Sequence, residues 1–119
     1  RSREIAAELS ARFGIPQVAM TLRTTLSSDE NGWSALLYAG GECCASREYA
    51  IRVVDRVGGG DSFAAGLIYA LRRDEMPQAA VEFAAAASCL KLTVEGDYNL
   101  STAEEVWRLA RGGGSRLVR

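Results

Sequence analysis

Three consecutive glycines followed at once by an aspartate, Gly58-Gly59-Gly60-Asp61, mark where this chain must pass from strand to helix. Before them, Ile51, Val53 and Val54 read as the end of an apolar strand. After them, Phe63, Leu67 and Leu71 recur at i, i+4 and i+8, one stripe of a helix. Glycines at a helix start let a ligand come close to the backbone. The free N–H groups there and the helix dipole favour an anion. A carboxylate beside such a site would repel a phosphate unless it had a task. The task that chemistry offers is to accept the proton of a hydroxyl attacking that phosphate. The structural alternative is a tight turn with Asp61 as helix N-cap, and the two roles are compatible.

Other glycine-rich loops do not fit. Asp61 stands where a G-x-x-x-x-G-K-[ST] loop would continue toward its lysine. Gly58, Gly60 and Gly66 approach a G-x-G-x-x-G fingerprint without completing it. The 119 residues suffice for one modest domain. A net charge of -1 gives no electrostatic case for nucleic acid or an anionic membrane. There is no membrane-spanning run and no signal-peptide pattern at the start. Histidine is absent, so proton transfer falls to carboxylates, lysine, tyrosine or a partner. Cys43 and Cys44 are neighbours, and Cys89 lies in an alanine-rich helix. None pairs with histidine or another cysteine at a zinc spacing, and the usage suits a reducing cytoplasm.

Along the chain, Ile5, Leu9 and Phe13 have helical spacing, and Gly14 closes that helix. Val18 to Leu22 reads as a strand covered on both faces. Thr24 to Gly32 is polar and ends in Asn-Gly, a turn signal. Trp33 to Tyr38 and Glu42 to Ala50 flank Gly40-Gly41 and predict an antiparallel hairpin over 33–50. The motif helix is expected from about Asp61 to Arg73. Pro77 opens the next, with Val81, Ala84, Ala85, Ser88 and Leu92 on a close-packing face. Ser101 with Glu104, or Thr102 with Glu105, offers a capping box for a short last helix that buries Val106, Leu109 and Ala110. Residues 112–119 read as a flexible tail. Strands alternating with helices predict an α/β, three-layer helix–sheet–helix fold in one unit over 1–111. Trp33 and Tyr38 alternate along a strand and read as core.

Asp55 to Asp61, D-R-V-G-G-G-D, resembles the D-T-x-G-A-G-D signature of the ribokinase-like (PfkB) carbohydrate kinases. Its continuation S-F-A-A-G-L-I-Y is most similar to the branch acting on 2-keto-3-deoxy sugar acids. Thr21-Leu22-Arg23 with Asn31-Gly32-Trp33-Ser34-Ala35 resembles the family's nucleotide-side loop and following strand. Ala86 to Lys91 with Gly96 to Leu100 resembles its last helix–loop region. The likeness covers nearly the whole chain and only the C-terminal portion of such kinases. Arg56 and Gly59 replace the wider family's threonine and alanine, which favours a keto-deoxy sugar acid over ribose or fructose. Arg23 replaces a common glycine, and Ala85 falls where ribokinases often carry asparagine.

The resemblance implies ATP-dependent phosphorylation of a sugar acid such as 2-keto-3-deoxygluconate. Asp61 is then the catalytic base, and Gly58, Gly59 and Gly60 give backbone N–H groups to the phosphoryl group. Thr21, Arg23, Ser88, Lys91 and Asn99 become nucleotide-binding candidates. Arg56, with Asp61, faces the substrate. Mg2+ accompanies ATP, and a monovalent cation, K+, would sit near Asp55 and Val57. Most sugar contacts and the lid belong to the missing N-terminal part, and the acidic N-x-x-E element is absent, so the chain alone is expected to be inactive. The competing reading is a non-catalytic nucleotide- or anion-binding remnant that self-assembles through an exposed sheet edge. Another sugar of the same kinase family is the alternative substrate. A homo-oligomer is expected on either reading.

Overall fold

A computed structural model describes residues 2–28, 30–52, 59–92, 103–113 and 116–117. Helix α1 (Ser2–Phe13) is followed by strands β1 (Gln17–Thr25), β2 (Asn31–Ala39), β3 (Glu42–Ala45) and β4 (Tyr49–Ile51). Helices α2 (Gly59–Arg72), α3 (Pro77–Leu92) and α4 (Ala103–Arg108) come next, then a π-type turn (Leu109–Gly113) and a two-residue strand β5 (Arg116–Leu117). Gly14 (φ 65°) closes α1 in the left-handed conformation expected of a C-terminal glycine.

The sheet runs β1-β2-β4-β5, with β3 also paired to β2. β2 is its spine. One edge pairs antiparallel with all nine residues of β1, from Gln17 opposite Ala39 to Thr25 opposite Asn31. The other edge is shared by β3, opposite Leu36–Ala39, and β4, opposite Asn31–Trp33. The hairpin at Gly40-Gly41 thus forms, with both glycines at positive φ, but its second arm is broken at residues 46–48. There Ser46 Oγ accepts the Ala35 N–H at 2.9 Å, and the Ser46 N–H donates to Ala35 O at 2.8 Å. The break docks on α3: Glu82 accepts the Arg47 N–H at 3.0 Å, and Gln78 donates to Ala45 O at 2.7 Å.

Side chains alternate across a pleated strand. Ala35 and Leu37 therefore face one side with Tyr49 and Ile51, and all four join the main core with α2, α3 and α4. Leu36 is buried on the other side, where α1 lies and buries Ala6. This is the expected helix–sheet–helix order. α3 is buried on nearly every side from Ala80 to Leu92, well beyond the expected face of Val81, Ala84, Ala85, Ser88 and Leu92. Its alanines let α2 approach closely. A Cβ added at Gly66 would lie 3.2 Å from Ala87 Cβ and 3.3 Å from Ala84 Cα. Val106, Leu109 and Ala110 are buried as expected.

Three expectations are corrected. β1 is not covered on both faces: it is an edge strand, exposed at five of its nine residues, because the described sheet ends there. Asn31-Gly32 is not the turn but the start of β2, and the chain is held before it by N–H bonds from Leu26 and Ser27 to Glu30 O. Within the expected tail, Arg116–Leu117 pair parallel with Ala50 and Ile51, because the edge of β4 offers them backbone partners.

Candidate functional site

β1 and β4 are both antiparallel to β2, so they run the same way and end at one edge of the sheet. The register aligns Thr25, Asn31 and Ile51 in a row at that edge. The chain leaves the row after β4 and is next described at Gly59, the first residue of α2. Ligands of open α/β sheets bind beyond the carboxyl ends of strands. The start of α2 therefore lies where such a ligand would be expected.

α2 begins two residues before the expected start at Asp61. Asp61 is accordingly inside the first turn and not a flanking cap. A carboxylate there is favoured by the helix dipole. The N–H groups at the start of a helix have no partner within it, so the amides of Gly59, Gly60 and Asp61 are directed outward. The two described glycines differ. Gly59 is buried, and a Cβ on it would sit 2.7 Å from Leu92 Cδ2 and 3.2 Å from Leu92 Cγ. Gly60 is exposed, with nothing within 4 Å of a Cβ. Neither has positive φ, so neither is required by a tight turn. Gly59 is a helix-packing glycine. Gly60 leaves open space beside the exposed Asp61 carboxylate.

α2 and α3 pack antiparallel, with Gly66 against Ala84 and Ala87 and Gly59 against Leu92. The last turn of α3 thus lies beside the first turn of α2. Lys91 is in that turn but is 1% exposed. Ser88, one turn earlier, is wholly buried. Its hydroxyl donates to Ala85 O at 2.9 Å and accepts the Trp33 indole N–H at 2.7 Å. These bonds tie α3 to β2, and Ser88 is placed in the core rather than on a nucleotide-facing surface. Thr21 and Arg23 are not in a loop: they lie within β1, exposed, on the sheet face shared with Trp33. Asp55, Arg56, Val57, Gly58 and Asn99 lie outside the described residues.

The structure also joins residues that no spacing in the sequence pairs. Thr24 Oγ1 donates to Glu48 Oε2 at 3.3 Å, and a Cβ on Gly32 would collide with both side chains. Gly32 thus leaves room for this contact where β1 and the broken hairpin arm meet. Deeper in, the Tyr49 hydroxyl and Arg47 Nε are buried with no hydrogen-bond partner among the described residues. Burial pushes the Tyr49 phenol well above its ordinary range, as it does the Cys89 thiol. Among the described residues, no three His, Cys, Asp or Glu side chains cluster as a metal site. No helix among them is long and apolar enough to cross a membrane.

Residues 7–104 match the profile of the pfkB family carbohydrate kinases. This chain belongs to that family. It is 32% identical over 115 residues to 2-dehydro-3-deoxygalactonokinase of Haloferax volcanii, covering 97% of this chain and 34% of the relative. The fold is similar to 2-dehydro-3-deoxygluconokinase of Thermotoga maritima, with a TM-score of 0.88 and 42% identity over 93% of this chain and 34% of that one. It is also similar to a PfkB family carbohydrate kinase of Listeria grayi, with a TM-score of 0.82, 33% identity, and coverage of 88% and 33%. The chain thus spans about a third of the length of the family members it matches.

Proposed function

We propose that this chain supplies the phosphate-side, catalytic part of an ATP-dependent kinase acting on a 2-keto-3-deoxy sugar acid. The observation that carries this reading is the start of α2. An exposed carboxylate, Asp61, stands beside the open Gly60 in a turn of unpartnered backbone N–H groups, at the carboxyl edge of the sheet. Two relatives named as kinases of 2-dehydro-3-deoxy sugar acids support the substrate class.

In this reading a sugar-acid hydroxyl oxygen attacks the γ-phosphorus of ATP. Its bond to phosphorus forms as the bond from phosphorus to the ADP oxygen breaks, and its proton passes to the Asp61 carboxylate. The N–H groups of Gly59 and Gly60, with Gly58 by resemblance, receive the charge on the equatorial oxygens. Arg56, by the same resemblance, pairs with the substrate carboxylate. Magnesium would be carried on the nucleotide phosphates, and K+ would lie by Asp55 and Val57. Thr21 and Arg23 border the nucleotide from β1.

The test is reconstitution. The chain is combined with the remaining two thirds of a family member, and ADP release is followed with 2-keto-3-deoxygluconate, ribose and fructose. ADP release that depends on the sugar acid is expected. Absence of turnover with every sugar acid tried would overturn the reading in favour of a non-catalytic anion-binding module, to which the exposed edge of β1 otherwise points.

A further inference from the structure

β4 is the strand that delivers the chain to the candidate site. It is three residues long, Tyr49–Ile51, and the next element is α2, whose first turn holds Gly59, Gly60 and Asp61. So short a strand makes few backbone bonds, and its placement depends on what lies along its two edges. One edge pairs with β2 at Asn31, Gly32 and Trp33. The other is taken by β5, with Ala50 opposite Arg116 and Ile51 opposite Leu117. No other strand among the described residues pairs with that edge.

The approach to β5 is built into the same place. The π-type turn before it contains Gly112 at φ 102°, a conformation that glycine adopts without steric cost. The Arg47 guanidinium lies against that glycine: a Cβ there would be 3.3 Å from one terminal nitrogen of Arg47 and 3.4 Å from the other. Arg47 stands just before β4, and its own N–H donates to Glu82 of α3 at 3.0 Å. The chain entering β4 and the turn leading to β5 are thus packed on each other. The family profile stops at residue 104, so this turn and β5 lie outside the matched segment.

From this we infer that β5 is a strap within the chain: its pairing with β4 holds the strand end at Ile51 and thereby raises the anion affinity of the first turn of α2. Arg116 and Leu117 are then positioning residues, which touch no ligand and act through β4. A two-residue strand at the edge of a sheet is easily detached, so the strap can open while the core of α2, α3 and β2 stays folded. Anion binding and strap closure are linked, and each favours the other by the same factor. The inference rests on the proposed anion role of Gly59, Gly60 and Asp61.

The test uses the full chain with sulfate as the probe. Amide hydrogen exchange reads β4 and β5, and an NMR titration of Gly59, Gly60 and Asp61 reads affinity. Saturating sulfate should slow exchange at the amides paired between β4 and β5 by about fivefold or more. Arg116→Pro with Leu117→Pro removes both N–H groups of β5. That double variant should weaken sulfate by about the same factor and leave the urea midpoint unchanged. Arg116→Gln and Leu117→Val keep the backbone pairing and should bind sulfate as the parent chain does. An equal loss of affinity in Arg116→Gln would assign the effect to charge and overturn the inference. Bound sulfate that leaves exchange in β4 and β5 unaltered would overturn it too, and that measurement needs no variant. Undiminished affinity in the double proline variant contradicts the strap alone. Sulfate that shifts none of the three amides contradicts the anion site, and the strap with it.

Discussion

Gly59 and Leu92 meet so closely that a Cβ on Gly59 would lie 2.7 Å from Leu92 Cδ2. The contact joins the first turn of α2 to the last turn of α3, and it separates the roles of two adjacent glycines. Gly59→Ala must push Leu92 aside or tilt α2. It should cost about 1–3 kcal/mol, the usual penalty of overpacking. Gly60→Ala meets nothing and should leave stability unchanged or raise it by up to about 1 kcal/mol through helix propensity. Urea denaturation of the two variants checks this. Equal losses would mean that the glycines share one structural role.

Anion binding should sort the same positions differently. Sulfate or ATP added to the chain should shift the amide signals of Gly59, Gly60 and Asp61 in an NMR titration, since the donors are backbone N–H groups. Gly60→Ala should weaken that binding although it does not harm the fold, because the added methyl stands where the ligand approaches. Binding left intact by Gly60→Ala would contradict a ligand at this turn.

The bond from the Trp33 indole to Ser88 predicts a stability role for Ser88. Ser88→Ala leaves the half-buried indole N–H without its partner and should cost about 1–3 kcal/mol. Trp33→Phe in the same background should add less than it does alone, because the two residues share one interaction. Fluorescence-monitored urea denaturation measures all three variants. ATP affinity should not change in Ser88→Ala. Loss of nucleotide binding at unchanged stability would return Ser88 to the nucleotide site.

Stability should fall at alkaline pH. The buried Tyr49 phenol and Cys89 thiol are held above their ordinary values of 10.0 and 9.0 by desolvation. Both groups are neutral when protonated, and the unfolded chain releases their protons first. The native state therefore binds more protons above the ordinary values, and stability declines with rising pH there. Below about pH 8 these two groups should contribute no slope. Urea midpoints from roughly pH 7 to pH 11 should be flat and then fall, and Cys89→Ala should remove part of the fall. In native chain, a thiol reagent should label the half-exposed Cys43 and Cys44 and spare Cys89.

Much of this was legible in the residues themselves. Alternation in the hairpin, the i, i+4, i+8 stripe of α2 and the alanine face of α3 each follow from one local period, and each is present. The apolar run Val18 to Leu22 misled because it carries the pattern of a strand covered on both faces, whereas the described sheet stops at its edge. The strand expected over Val18 to Leu22 is drawn short because a polar stretch follows; pairing with β2 extends β1 to Thr25, so Arg23, which the resemblance puts in a loop, lies in the strand. At the candidate site, the glycines and Asp61 were visible as a motif. That Gly59 serves helix packing and Gly60 does not is a fact of the α2–α3 contact, which only the third dimension supplies.

The central claim is that Asp61 takes the proton in phosphoryl transfer. The measurement that tests it most directly is the turnover of Asp61→Asn in the reconstituted kinase with 2-keto-3-deoxygluconate, alongside its affinity for ATP. Asparagine cannot accept the hydroxyl proton, so turnover should fall by about a hundredfold or more. ATP affinity should hold or rise, because a negative charge near the phosphates is gone. Near-normal turnover by Asp61→Asn would contradict the account and leave Asp61 as a dipole-stabilising residue of the first turn.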